Sequence, residues 1–237
     1  MKMAAGFGLC LGPAVESKET LLRCHLSARS GDPEHRRRLP SKPMRVLRIA
    51  VVGPESSGKT TLAEALMRHF GGGRVADGTR EYVEELERPY IEEDLLAMAR
   101  SHAQWFADAP LHAAEGREEF RRNEPVGRSV SVEPVFFDTD ILNIRIWSME
   151  KYGRVHPGID RLVHDLRYDL RLLCRPDIPW EPDPQRENPH DRDRLFAIWE
   201  REMKAFGFLY IVIEGSREQR LHMATSMVGM LMQGKAE

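Results

Sequence analysis

The chain has 237 residues, with 35 Lys and Arg against 37 Asp and Glu and a formal net charge of −2. That balance lacks the basic excess that holds a polyanion, so nucleic acid is disfavoured as a partner, and no apolar run reaches the length of a membrane span. The three cysteines, Cys10, Cys24 and Cys174, are far apart with no CxxC pair, which fits a reducing, cytoplasmic compartment without a zinc site.

Residues 1–43 differ from the rest. A short Gly-rich apolar patch, Gly6 to Gly12, precedes an Arg-, Pro- and Ser-rich stretch containing Arg36-Arg37-Arg38. The patch is a poor signal peptide. The segment reads as a disordered extension or as sequence upstream of the natural start, with Met44 in the right place to be that start. Residues 44–237 read as one α/β domain.

Val46 to Val52 is mostly apolar and β-branched, as a buried parallel strand should be. It runs into Gly53-Pro54-Glu55-Ser56-Ser57-Gly58-Lys59-Thr60, which matches G-x-x-x-x-G-K-[ST], the P-loop. Gly53 and Gly58 allow positive φ and close approach of the backbone to oxygen atoms. The N–H groups of Glu55, Ser56, Ser57 and Gly58, continuing through Lys59, Thr60 and Thr61, then cradle phosphate. Lys59 supplies charge at the β- and γ-phosphates, and Thr60 offers a hydroxyl to Mg²⁺. Thr60 to Phe70 has helical spacing of apolar residues and stops at Gly71-Gly72-Gly73. The expected ligand is therefore ATP with Mg²⁺.

A short second strand is expected at Arg74-Val75-Ala76, with Arg80-Glu81-Tyr82 at its ligand-facing end. Glu81 there is positioned to accept a hydroxyl proton, with Arg80 and Tyr82 beside an acceptor substrate; a surface ion pair with a half-buried tyrosine is the alternative. Residues 91–107 predict a helix, and the charged 115–131 stretch with its Gly and Pro predicts a mobile insertion. Val135 to Asp138 is a strand ending in a carboxylate, and Asp138 is the candidate Mg²⁺ partner, with helix capping as its other reading. Asp140 opens the next helix, and Asp140, Ile144 and Trp147 share a face. That face either holds a sugar hydroxyl and a cationic ring or buries Trp147 in the core.

Strands follow at 169–173 and 208–213, with a helix over 194–206 between them. Residues 175–193, dense in Pro, Asp, Glu and Arg, read as a lid whose Arg186 and Arg192 close on phosphate, or as an ordinary solvated loop. Strand and helix alternate, so the expected architecture is α/β: a three-layer P-loop NTPase fold with a mostly parallel sheet of about five strands.

Taken together, the P-loop with its ESSGKT end, Arg80-Glu81-Tyr82-Val83, Phe136-Phe137-Asp138-Thr139-Asp140 with Trp147 downstream, His156-Pro157 before Tyr168-Asp169, and Asp177-Ile178-Pro179-Trp180 through Asp183 to Arg186 resemble the ribosylnicotinamide kinase domain of the NadR family. The resemblance runs over about 44–220. It implies ATP-dependent phosphorylation of a small-molecule nucleoside, nicotinamide riboside first, within NAD salvage. Glu81 or Asp140 would then be the base, and Asp140 and Trp147 would hold the substrate. Members of that family often carry an adenylyltransferase domain; no H-x-G-H signature occurs here, and residues 1–43 are too short for such a domain. A kinase for another nucleoside or small metabolite remains an alternative, as does a regulatory P-loop ATPase switch with no small acceptor.

Overall fold

The computed structural model describes residues 45–123, 132–180 and 191–234. All belong to one unit, Pro43–Glu237. Met44 and residues 1–43 lie outside the described residues, as do Asp183 and Arg186.

Among the described residues five strands make one sheet: β1 (Arg45–Val52), β2 (Gly73–Val75), β3 (Val132–Asp138), β4 (Leu170–Cys174) and β5 (Tyr210–Ile213). Their spatial order is β2-β3-β1-β4-β5, and every pairing is parallel. The helices are α1 (Lys59–Phe70), α2 (Gly78–Glu85), α3 (Glu92–Ala107), α4 (Ala109–Asn123), α5 (Ile141–Tyr152), α6 (Pro157–Asp165), α7 (Arg192–Ala205) and α8 (Arg217–Met232).

Alternation along β1 divides the core. Leu47, Ile49 and Val51 face one layer with Leu62, Ala63 and Leu66 of α1 and Ala224 and Val228 of α8. Ala50 and Val52 face the other, with Leu95, Met98, Ile144, Ile159, Trp199 and Met203. Successive side chains of a strand point to opposite faces, so a strand with buried apolar residues on both faces must lie between two helical layers. The three-layer α/β expectation holds, and the sheet is wholly parallel.

The differences are local. Residues 78–85, expected to be a strand end, form α2, because Asp77 caps that helix by accepting the Thr79 N–H at 3.1 Å. The first part of the expected mobile insertion, to Asn123, is the last turns of α4; residues 124–131 lie outside the described residues. Helices α6 and α8 have no counterpart in the sequence expectation. The first has Pro157 at its start behind a His156 cap, and the second opens with a Ser216/Gln219 capping box. No described helix is long and apolar enough to cross a membrane.

Candidate active site

Parallel pairing brings the carboxyl ends of β1, β3 and β4 to one edge, with Val51 opposite Asp138 and Val52 opposite Leu173. The chain leaves β1 through Gly53 at φ 136°, where a Cβ would lie 2.6 Å from the Cys174 carbonyl oxygen. Only glycine fits that approach. Ser56 and Gly58 follow in the left-handed region at φ 51° and 79°. Gly58 is the N-cap of α1 and provides no side-chain cap. The first N–H groups of α1 are thus left to an anion, at the positive end of the helix. Inside the loop the Pro54 carbonyl accepts from Ser57 Oγ at 2.8 Å and from Lys59 Nζ at 2.7 Å. Lys59, Glu55 and Ser56 are half-buried, and Thr60 and Thr61 are exposed.

Asp138 ends β3 with 4% of its surface exposed. Burial pushes its carboxyl above the usual range, while the Thr60 hydroxyl bonded to it and the Lys59 charge pull it back. The sequence-predicted metal pair, Thr60 and Asp138, is therefore brought together. A hydroxyl and one carboxylate fit Mg²⁺, which keeps several waters and takes its remaining ligands from substrate phosphate. Among the described residues no group of three His, Cys, Asp or Glu makes an all-protein metal cage. Cys174, at the end of β4, is fully buried, and burial pushes its thiol up to about 12. It is an inert core side chain.

Thr139 adopts φ 86°, unusual for a β-branched residue, and it turns the two flanking carboxylates apart. Asp138 faces Thr60. Asp140, 0% exposed, caps α5 by accepting the Leu142 N–H at 3.0 Å and pairs with Arg171 of β4 at 2.7 Å. Arg171 is 1% exposed and lies 3.6 Å from the Phe208 ring centroid. Behind it Tyr168 Oη and His102 Nε2 share a hydrogen bond of 2.6 Å. Burial pushes the tyrosine well up and the histidine down; the Asp140 carboxylate acts against the shift on His102. Both Asp140 oxygens are engaged away from solvent. This geometry favours the cap and the buried ion pair over the expected roles of base or sugar ligand.

Glu81 is exposed on the first turn of α2, and Arg80 is exposed with a 3.5 Å pairing to Glu84. Tyr82 is half-buried, its hydroxyl 3.4 Å from Asp94. Trp147 packs partly against the core and stacks on Tyr90 with centroids 6.4 Å apart, and Lys151 Nζ lies 3.3 Å from the Tyr90 ring centroid. The expected Asp140–Trp147 face is thus split between a buried cap and a peripheral aromatic pair.

On the other flank Arg192, at the start of α7, donates to the Ser56 carbonyl at 3.1 Å and to the Ile178 carbonyl at 3.0 Å. Arg186, its expected companion, lies outside the described residues. Three side chains near the crevice were missing from the sequence expectation. Asp77, half-buried at the end of β2, is close enough to raise the Asp138 carboxyl further; its signal was the Asp-Gly-Thr cap pattern after an apolar strand. Arg171 gave no signal, being one charge inside an apolar strand. Arg220 of α8, 6% exposed, donates to the Ser57 carbonyl at 2.9 Å.

A parallel sheet flanked by helices, with a P-loop at the end of its central strand, defines a P-loop nucleotide-binding protein. A family model described as an AAA domain matches residues 48–220, and the chain belongs to that family. It is 28% identical over 159 residues to the trifunctional NAD biosynthesis/regulator protein NadR of Salmonella typhimurium, a match covering 65% of this chain and 34% of that protein. The NadR of Escherichia coli gives the same figures, so the chain spans about a third of the length of the curated relatives it matches. Two solved structures share the fold. NadR in complex with NR has a TM-score of 0.56 at 21% identity, over 82% of this chain and 53% of that one. NadR in complex with NAD and AMP-PNP has 0.54 at 24%, over 82% and 51%.

Proposed function

We propose that this protein transfers the γ-phosphoryl group of ATP to the hydroxyl of a small nucleoside, with nicotinamide riboside as the first candidate and nicotinamide mononucleotide as its product. The observation that carries the reading is the assembly of Lys59, Thr60 and Asp138 beside the open N-terminus of α1. The likeness to NadR supports the acceptor class.

In this reading the loop N–H groups and Lys59 hold the phosphates and meet the charge that grows on them. Thr60 and Asp138 would hold Mg²⁺, which would supply positive charge to offset that of the phosphates. Glu81, exposed and unencumbered by the buried pair that holds Asp140, takes the acceptor proton as the hydroxyl attacks phosphorus and ADP leaves. Arg80, Tyr82 and Trp147 line the acceptor side, and Arg192, with Arg186, serves the phosphate side. Such catalysis is largely positioning and charge stabilisation.

The test is coupled ADP release over a panel of nucleosides, with nicotinamide riboside included and an acceptor-free control. Turnover that requires nicotinamide riboside supports the reading. Turnover with a different nucleoside moves the specificity and keeps the kinase. ATP consumption without any acceptor points instead to an ATPase switch.

A further inference from the structure

Arg220 sits in α8, outside every motif discussed above, yet its guanidinium joins four separate places. Nη1 donates to the Ser57 carbonyl at 2.9 Å, Nη2 to the Arg175 carbonyl at 2.8 Å and to the Asp177 carboxylate, and Nε to the Gly215 carbonyl at 2.9 Å. Asp177 is itself held by the Gly215 N–H at 2.7 Å. The guanidinium is buried, and a buried charge bonded on every side is fixed in place.

The consequence lies in peptide geometry. In a trans peptide the C=O and the following N–H point in opposite directions. Arg220 holds the Ser57 carbonyl on the outer side of the loop, so the Gly58 N–H of the same peptide is turned to the inner side. Arg192 does the same one peptide earlier, holding the Ser56 carbonyl and so setting the Ser57 N–H. Glycine at position 58 has no side chain to restrict its own φ and ψ, so an external restraint is needed to choose among many directions.

We propose that Arg220 is a positioning residue for the nucleotide site, aiming the Gly58 N–H at phosphate by holding the carbonyl behind it. The proposal rests on the reading of residues 53–60 as an ATP site. Arg220 itself touches no phosphate in this scheme. It acts through the peptide it holds, and the Asp177 carboxylate keeps it in place.

The experiment compares wild type, Arg220→Met, Arg220→Lys, Asp177→Asn and Lys59→Ala in the full chain. Three readouts are taken: the unfolding midpoint, ATP affinity by calorimetry with Mg²⁺, and the ¹⁵N–¹H signal of Gly58 on addition of ATP. Arg220→Met is expected to weaken ATP by about tenfold or more, the usual loss for a hydrogen bond to a charged group, and to shrink the ATP-induced shift of the Gly58 signal. Arg220→Lys should recover part of both, since one ammonium reaches fewer of the four acceptors. Should Arg220→Met fail to fold, Asp177→Asn carries the test, with a smaller loss in the same direction. Wild-type affinity and an unchanged Gly58 shift in a folded Arg220→Met, or in Asp177→Asn if Arg220→Met is unfolded, overturn the proposal. If Lys59→Ala loses ATP while those variants do not, the ATP site stands and only the role of Arg220 falls. If wild type binds no ATP, both fall.

Discussion

At the ends of β1 and β4 the crevice is made of backbone; at the ends of β2 and β3 it is made of side chains. On the first flank the functional atoms are loop N–H groups, and the neighbouring side chains, Arg192 and Arg220, face outward-turned carbonyls. On the second flank the functional atoms are carboxylates, each with its own environment: Asp138 against Thr60, Asp140 against Arg171, Glu81 in solvent. A backbone site tolerates change in its surroundings as long as the loop conformation survives. A side-chain site depends on which partner each charge meets.

Lys59→Ala removes the ammonium that the backbone flank adds to its loop N–H groups. Turnover should fall at least ~10³-fold, the upper range for losing one charge-stabilising donor, with the unfolding midpoint preserved. A variant with normal turnover would break the comparison at its strongest point.

Asp140→Ala should act on stability. It leaves the Arg171 guanidinium buried without its carboxylate, at a cost of about 3–5 kcal/mol in urea unfolding. Combining it with Arg171→Met should recover most of that loss, because two apolar groups replace two charges. A mild effect of Asp140→Ala on stability with severe loss of turnover would return Asp140 to the catalytic role expected from sequence.

Glu81→Gln keeps shape and removes basicity. A general base is worth about 10²-fold in kcat, and an exposed first-turn residue should leave stability unchanged. If Glu81→Gln turns over normally, Asp77 is the next carboxylate to substitute on that edge.

Asp138→Asn sharpens the contrast most gently. The folded carboxyl titrates above its ordinary value of 3.8, so the native state holds its proton to higher pH than the unfolded chain does. Ionising it costs stability as pH rises from that ordinary value through the raised one. The asparagine variant of the ligand-free protein should therefore be more stable than wild type at neutral pH, with the gap closing in acid. An equal gap at pH 3 and pH 7, read from unfolding midpoints, would show that charge is not the cause.

The same contrast explains what could be read from sequence. The P-loop was legible because it is a backbone object whose glycines and lysine sit at fixed spacing, and Asp138 because an apolar strand ends on it. The layering followed from the alternation of strands and helices along the chain. The environment of Asp140 was not legible. Its partner lies 31 positions away inside Leu170–Cys174, a strand buried throughout, where an arginine is tolerated only because Asp140 and the rings of Tyr168 and Phe208 surround it. Helix α2 was missed because its polar residues were taken for the ligand-facing end of a short strand, while the cap formed by Asp77 decided for helix.

Arg220 reaches Ser57 across 163 positions of chain, and the Arg48 N–H on the central strand waits for the Asp169 carboxylate across 121. During synthesis the P-loop segment therefore emerges long before the groups that set its peptide directions. If Arg220 sets the Gly58 N–H as proposed, nucleotide favours the state in which α8 has docked, drawing the population toward it by mass action. Saturation with ATP thus becomes a measure of completed assembly. Chains stalled before α8 should be the ones that ligand fails to protect from proteolysis.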